Sequence, residues 1–265
     1  NVGRKTPSPP LPSLHIHRER HKTMPTPNEL QIGLIVPEDT NLPPGSPSRS
    51  KHTDMKYKHA RLLIAGKTPA DLLADRIRAD GVVIGNSLKV NSFINHQVDC
   101  HLMSVCGHEL ARRFRGLDIT KVFSSHGSGL MPAQSCAMHM NVPLVFATEV
   151  APLALPGVAV YEEAIGESSL ARPVKSLHVS SEFIGPGDRI LVVDDVLSKG
   201  GTANCLISLA GKCGATVVAC GFMIEKEFEG GRKVLSQTVP KATERIQSVC
   251  KIRSVANGVI DIVES

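Results

Sequence analysis

The stretch Arg189–Thr202 reads RILVVDDVLSKGGT, with Asp194 and Asp195 side by side after an apolar run and Gly200, Gly201 and Thr202 soon after them. The run has the composition of a strand buried on both faces of a parallel sheet. Ligands of such sheets sit beyond the carboxyl ends of the strands. The loop that follows leads into a helix whose first amides have no intrahelical partner and carry the positive end of its dipole. Gly200 and Gly201 allow close approach of the backbone, and the hydroxyls of Ser198 and Thr202 can donate, so Ser198–Thr202 reads as an anion cradle suited to a phosphate. Lys199 either adds a cation to that cradle or stands in solvent. Two carboxylates cannot hold a phosphate, but they accept hydrogen bonds from vicinal hydroxyls. A ribose carrying a 5′-phosphate satisfies both halves of the pattern, with its hydroxyls on Asp194 and Asp195. The plain alternative is an ordinary strand-to-helix turn with an aspartate cap.

The elements that must position this pattern alternate along the chain. PADLLADRIRADG has the spacing of an amphipathic helix closed by Gly81, and HLMSVCGHELARRFRG that of a second, closed by Gly116. VVIGNSLKVNSFINHQVD reads as short strands and a turn. TKVFSS and PLVFAT read as strands on either side of a Gly-rich turn, HGSG, and a helix from about Pro132 to Met140. Residues 150–188 carry hints of a hairpin. After RILVVDD come a helix over Thr202–Lys212 and a further strand, TVVACGFMIEK. Strands alternating with helices predict an α/β domain around a mainly parallel sheet.

Residues 1–55 are of another kind. Ten of the 18 prolines fall in the first 50 positions, and residues 1–69 hold 11 Lys/Arg against 5 Asp/Glu. The formal charge of +5 therefore belongs to this end, and the balance of the rest does not indicate a basic globular face for nucleic acid. Such a segment cannot bury enough surface to fold alone. It is expected to be an extended arm that contacts other protein subunits, joined by a linker over 56–69 to a domain over 70–265. The cluster HIHRERHK could touch RNA phosphates, but it lacks stacking aromatics. The seven cysteines include no Cys-x-x-Cys, so buried free thiols are expected, with no metal site among them. No apolar run approaches the roughly 18 residues that span a bilayer. The first residue is Asn1, so either a presequence was removed or the sequence begins inside the gene product; a mitochondrial location is expected, with the cytoplasm as the other reading.

VVDDVLSKGGT resembles the phosphoribosyl-diphosphate motif of the type I phosphoribosyltransferases. The resemblance continues through LKVNSFINHQVD, GSGLMPA, PLVFA, TVVACGFMIEKEFEGGR and ERIQSV, over about residues 70–262, in the order and spacing of bacterial xanthine phosphoribosyltransferase. It implies that family's fold: a mainly parallel sheet flanked by helices, with a small hood, here preceded by the arm. It also implies that Asp194 and Asp195 hold ribose hydroxyls, that Ser198, Lys199, Gly200, Gly201 and Thr202 hold the 5′-phosphate, and that Leu88, Asn95 and Lys226 contact the purine. Magnesium would arrive with phosphoribosyl diphosphate, and a purine nucleoside monophosphate could remain bound. Homodimers are common in the family, and pairing with a related chain is the other expectation.

The sequence departs from the family where the pyrophosphate would lie. Thr148 and Glu149 stand where relatives carry an Arg-Lys pair, His126 where they carry an acid, and Lys199 where they carry Thr or Asn. Cations aimed at developing charge are a main source of catalysis in such transfers. Lys175 or Arg172 could substitute for them. Two functions are therefore expected: foremost a non-catalytic, nucleotide-binding accessory subunit of a large, mitochondrial assembly, and otherwise an active purine phosphoribosyltransferase of the xanthine/guanine type.

Overall fold

The computed structural model describes residues 66–85, 87–165, 175–256 and 258–263. The arm expected over 1–55, nearly all of the linker and Arg172 lie outside them. Helix α1 (Pro69–Asp80) opens on a capping box, in which Thr68 and Asp71 satisfy each other's backbone amides. A hairpin of β1 (Val82–Ile84) and β2 (Ser87–Lys89) follows, then a π-helical turn at Asn91–Asn95. The sequence pattern predicts only strands and a turn here. Phe93 and Ile94, consecutive in this turn, are both buried.

The central sheet is built from β3 (Lys121–Ser125), β4 (Leu144–Ala147), β7 (Arg189–Leu197), β8 (Thr216–Lys226), β9 (Ile246–Ala256) and β10 (Val259–Ile262). Its strand order is β10-β9-β8-β7-β3-β4, parallel throughout except for β10 against β9. Helices α2 (Cys100–Arg113), α3 (Leu130–Met140) and α4 (Gly201–Lys212) pack on it, and β5 (Val160–Ala164) pairs antiparallel with β6 (Ser176–Ser180) as a separate hairpin. The short helices α5 (Gly231–Leu235) and α6 (Ala242–Arg245) join β8 to β9. The parallel sheet flanked by helices agrees with the α/β expectation.

Both faces of the sheet are covered, which explains why β7 is apolar from Ile190 to Val193. Leu191 and Val193 join one core with Leu73, Ile77, Leu110 and Phe114, while Ile190 and Val192 join the other with Phe123, Leu206 and Leu209. Each large side chain so buried is worth about 1.5–3 kcal/mol in area removed from water. Six of the seven cysteines are buried and Cys100 is exposed. Burial pushes the buried thiols up, to about 12 for Cys136 and Cys220. Among the described residues no helix is long and apolar enough to cross a membrane.

Candidate functional site

Asp194 and Asp195 lie within β7 rather than at its last residues, because pairing with β8 continues to Leu197 opposite Glu225. Both are buried, at 7% and 8% exposure. The Asp195 amide donates to Asp194 Oδ1 at 3.0 Å. Burial, and then the charge of Asp195, push the Asp194 carboxyl well above the usual carboxylate range. A pair this dry is poised to accept hydroxyl donors or to face a positive charge. Asn95 Nδ2 approaches Asp195 Oδ2 at 3.5 Å and donates to Ser128 Oγ at 3.2 Å, so the π-helical turn and the loop before α3 meet at the carboxylates. Gly129 is required there: a β-carbon at this position would overlap the Asp194 carboxylate.

The loop Ser198–Gly200 leads directly into α4, whose N-cap Gly200 has a φ of 83° and supplies no side-chain cap. That left-handed backbone suits glycine, and the first amides of α4 are left for a ligand. Ser198 O accepts from Gly231 N–H at 3.0 Å, which braces the loop against the start of α5. A cavity of about 310 Å³ opens here, lined among others by Asp194, Ser198, Lys199, Gly201, Thr202 and Glu229. The five residues of the expected phosphate cradle thus share one cavity with one of the two aspartates.

The remaining expected site residues are more scattered. Leu88 is buried in the core beneath the β1–β2 hairpin. Lys226 ends β8, and its Nζ lies 3.1 Å from Glu229 Oε1. On the side expected for pyrophosphate, His126 is exposed and its amide donates to Ala147 O at 2.8 Å. Thr148 exchanges backbone hydrogen bonds with His178 at 3.0 and 2.8 Å, and its hydroxyl donates to Val150 O at 2.6 Å. Glu149 pairs with Lys175 at 3.1 Å, with both side chains mostly in solvent.

Three contributors escape a reading of the motif alone. Gly129 is one, signalled only by its place in GSGLMPA. Glu229 is another, within EFEGGR. The third is a buried clamp: Arg232 donates to Glu225 through Nε at 2.7 Å and Nη2 at 2.6 Å, and Ser248 Oγ donates to Glu225 Oε2 at 2.6 Å. Burial opposes ionisation of Glu225, but the bonds from Arg232 and Ser248 outweigh it and hold the carboxyl below its usual range. This clamp fixes the segment that carries Lys226 and Glu229.

The fold and the cradle place the chain in the type I phosphoribosyltransferase family, to which it belongs. It is 33% identical over 195 residues to "Xanthine phosphoribosyltransferase" of Pseudomonas aeruginosa, covering 73% of this chain and 100% of that protein. It is 36% identical over 198 residues to the protein of that name from Stutzerimonas stutzeri, covering 72% of this chain and 98% of the relative. The protein so named from Lactobacillus delbrueckii subsp. bulgaricus is 43% identical over 162 residues, 61% of this chain and 85% of that one. Among solved structures, adenine phosphoribosyltransferase from Rhodothermus marinus superposes with a TM-score of 0.51 at 22% identity, covering 68% of this chain and 98% of that one. That likeness concerns the fold. No family model matches the chain.

Proposed function

We propose that the protein is a purine phosphoribosyltransferase of the xanthine/guanine type. It joins a 6-oxopurine to the ribose carbon of phosphoribosyl diphosphate, breaking the bond to pyrophosphate and leaving a nucleoside 5′-monophosphate. The observation that carries this reading is the buried Asp194–Asp195 pair beside the uncapped, glycine-opened start of α4. The full-length match to relatives named for this activity supports it. In the reaction the cradle amides hold the 5′-phosphate, Asp194 and Asp195 orient the ribose hydroxyls, and the pair's negative potential favours positive charge developing on the sugar. Among the described residues no three His, Cys, Asp or Glu side chains cluster at metal spacing. Magnesium would be brought in on the substrate's phosphates and touched by one or two carboxylates. Its chemistry there is neutralisation of the departing pyrophosphate.

This reading replaces the accessory-subunit expectation, which the enzyme relatives do not support. The arm on which it and the mitochondrial location rested lies outside the described residues. The test is pyrophosphate release from magnesium phosphoribosyl diphosphate with xanthine, guanine, hypoxanthine or adenine. Turnover is expected with the 6-oxopurines and not with adenine. Tight binding of nucleoside monophosphates without turnover on any base would restore the non-catalytic reading, for which Thr148 and Glu149 are the specific motive.

A further inference from the structure

Arg76, on the buried face of α1, is the one Lys or Arg among the described residues that is itself buried, at 8% exposure. A guanidinium in such a place is costly unless charge meets it, and two carboxylates do. Asp80 Oδ2, on the same helix, lies 3.0 Å from Nη1, and Asp99 Oδ2 lies 4.0 Å from Nη2. The guanidinium carbon stands 5.4 Å from the centroid of the Phe93 ring, inside the roughly 6 Å range of a cation–π attraction. Neither Arg76 Nε nor Asp80 Oδ2 has a hydrogen-bond partner, so charge and stacking, rather than aligned hydrogen bonds, hold the group. One side chain thus ties three elements. They are α1, the π-helical turn Asn91–Asn95 through Phe93, and the start of α2 through Asp99, whose Oδ1 caps it at Leu102 N–H.

The same turn reaches the site. Asn95 stands two residues beyond Phe93, and its amide meets Asp195 Oδ2 at 3.5 Å and Ser128 Oγ at 3.2 Å. The first of these is at the edge of hydrogen-bond range, so a shift of the turn by about half an ångström makes or breaks it. Asp99 N–H donates to Phe93 O at 2.9 Å, which keeps the ring and the second carboxylate of Arg76 in one frame. The turn's other side-chain tie to α1, from Ser92 Oγ to the Asp80 carbonyl, is long at 3.4 Å. Arg76 is therefore the charged anchor of the segment that touches Asp195, although it sits on a different helix and its own contacts are all to protein.

Resting on the transferase reading above, we propose that Arg76 is a positioning residue for the reaction: through Phe93 it sets the turn from which Asn95 reaches the Asp195 carboxylate. The test is a double-mutant cycle on the full chain, read by steady-state kinetics of pyrophosphate release in the wild type, Arg76→Met, Asn95→Ala and the double variant. Arg76→Met is expected to lower kcat/KM about tenfold, and Phe93→Leu, which leaves every charge in place, to do the same. In the Asn95→Ala background Arg76→Met is expected to cost under about twofold, because the contact through which it acts is already gone. Arg76→Lys keeps a cation beside the ring and is expected to stay within about threefold of the wild type. Equal losses with and without Asn95 overturn the inference, since a cation that only stabilises the core gives that result. A folded Arg76→Met with unchanged kcat/KM overturns it as well. If its unpaired carboxylates prevent that variant from folding, Arg76→Met with Asp80→Asn takes its place in the same cycle. A wild type without turnover on any purine overturns the transferase reading and the inference with it, and neither of the other two results does that.

Discussion

The two halves of the site are made of different material. The cradle is made of backbone: the first amides of α4, the left-handed Gly200 and the bond from Gly231 to Ser198 O. The carboxylates beside it are buried and held by the sheet. The residues expected at the pyrophosphate are side chains nearer the surface: His126, Glu149 and Lys175 are exposed, Thr148 is half-buried, and Glu149 and Lys175 form an exposed ion pair. A site of amides and buried charges ties most of its residues to the fold around it. A site of solvent-facing side chains can exchange cations for neutral or acidic residues at little cost in stability. Three of the departures from the family pattern, at His126, Thr148 and Glu149, fall on that side, and the one inside the cradle, Lys199, is also an exposed side chain.

The contrast breaks most sharply at Gly129. Gly129→Ala forces the Asp194 carboxylate aside, and displacement by about an ångström is expected to lower kcat/KM for phosphoribosyl diphosphate roughly 100-fold. Steady-state kinetics check it, and a loss of less than threefold would mean that the carboxylate can move freely. On that side, Thr148→Arg with Glu149→Lys is expected to raise kcat about tenfold, less than a preorganised charge in a dry site supplies, because Glu149 faces solvent and Thr148 is only half-buried. An unchanged rate would show that His126 or Lys175 already supplies the charge.

Smaller effects sharpen the comparison through stability. Because the raised Asp194 carboxyl keeps its proton in the folded protein above the ordinary value of 3.8, ionisation penalises the fold as pH rises. Asp194→Asn is thus expected to stabilise the protein by about 1 kcal/mol at pH 8, with the gain shrinking toward pH 4, while abolishing turnover. Chemical denaturation at the two pH values decides this. Glu225 runs the other way: its lowered carboxyl contributes stability at neutral pH that is lost as pH falls through its folded value. Least of all, Lys175→Ala should change stability by under about 0.5 kcal/mol, since its ion pair is exposed.

What the sequence discloses follows the same division. RILVVDD and TVVACGFMIEK show their burial as unbroken apolar runs, and the Gly-Gly-Thr that follows the first shows its helix start, because each is a local demand on residue type. The π-helical turn at Asn91–Asn95 is not legible, since VNSFIN reads equally as a strand and a turn. Nor is the antiparallel β10, which depends on pairing with β9 across the sheet edge. The ion pair of Lys226 with Glu229 at the end of β8 is not legible either. Bonds such as that from Arg232 to Glu225, bridging two elements, leave no period in the chain.

The distribution of sulfur has a practical use. Folded, the protein offers one thiol to a reagent in solvent, at Cys100, where α2 begins; unfolded, it offers seven. Counting reacted thiols against time therefore times the opening of the molecule, since the buried six cannot be alkylated until the sheet parts from its helices. Brief treatment of the native protein would instead attach a single dye or spin label at a known position, with no cysteine needing to be removed first.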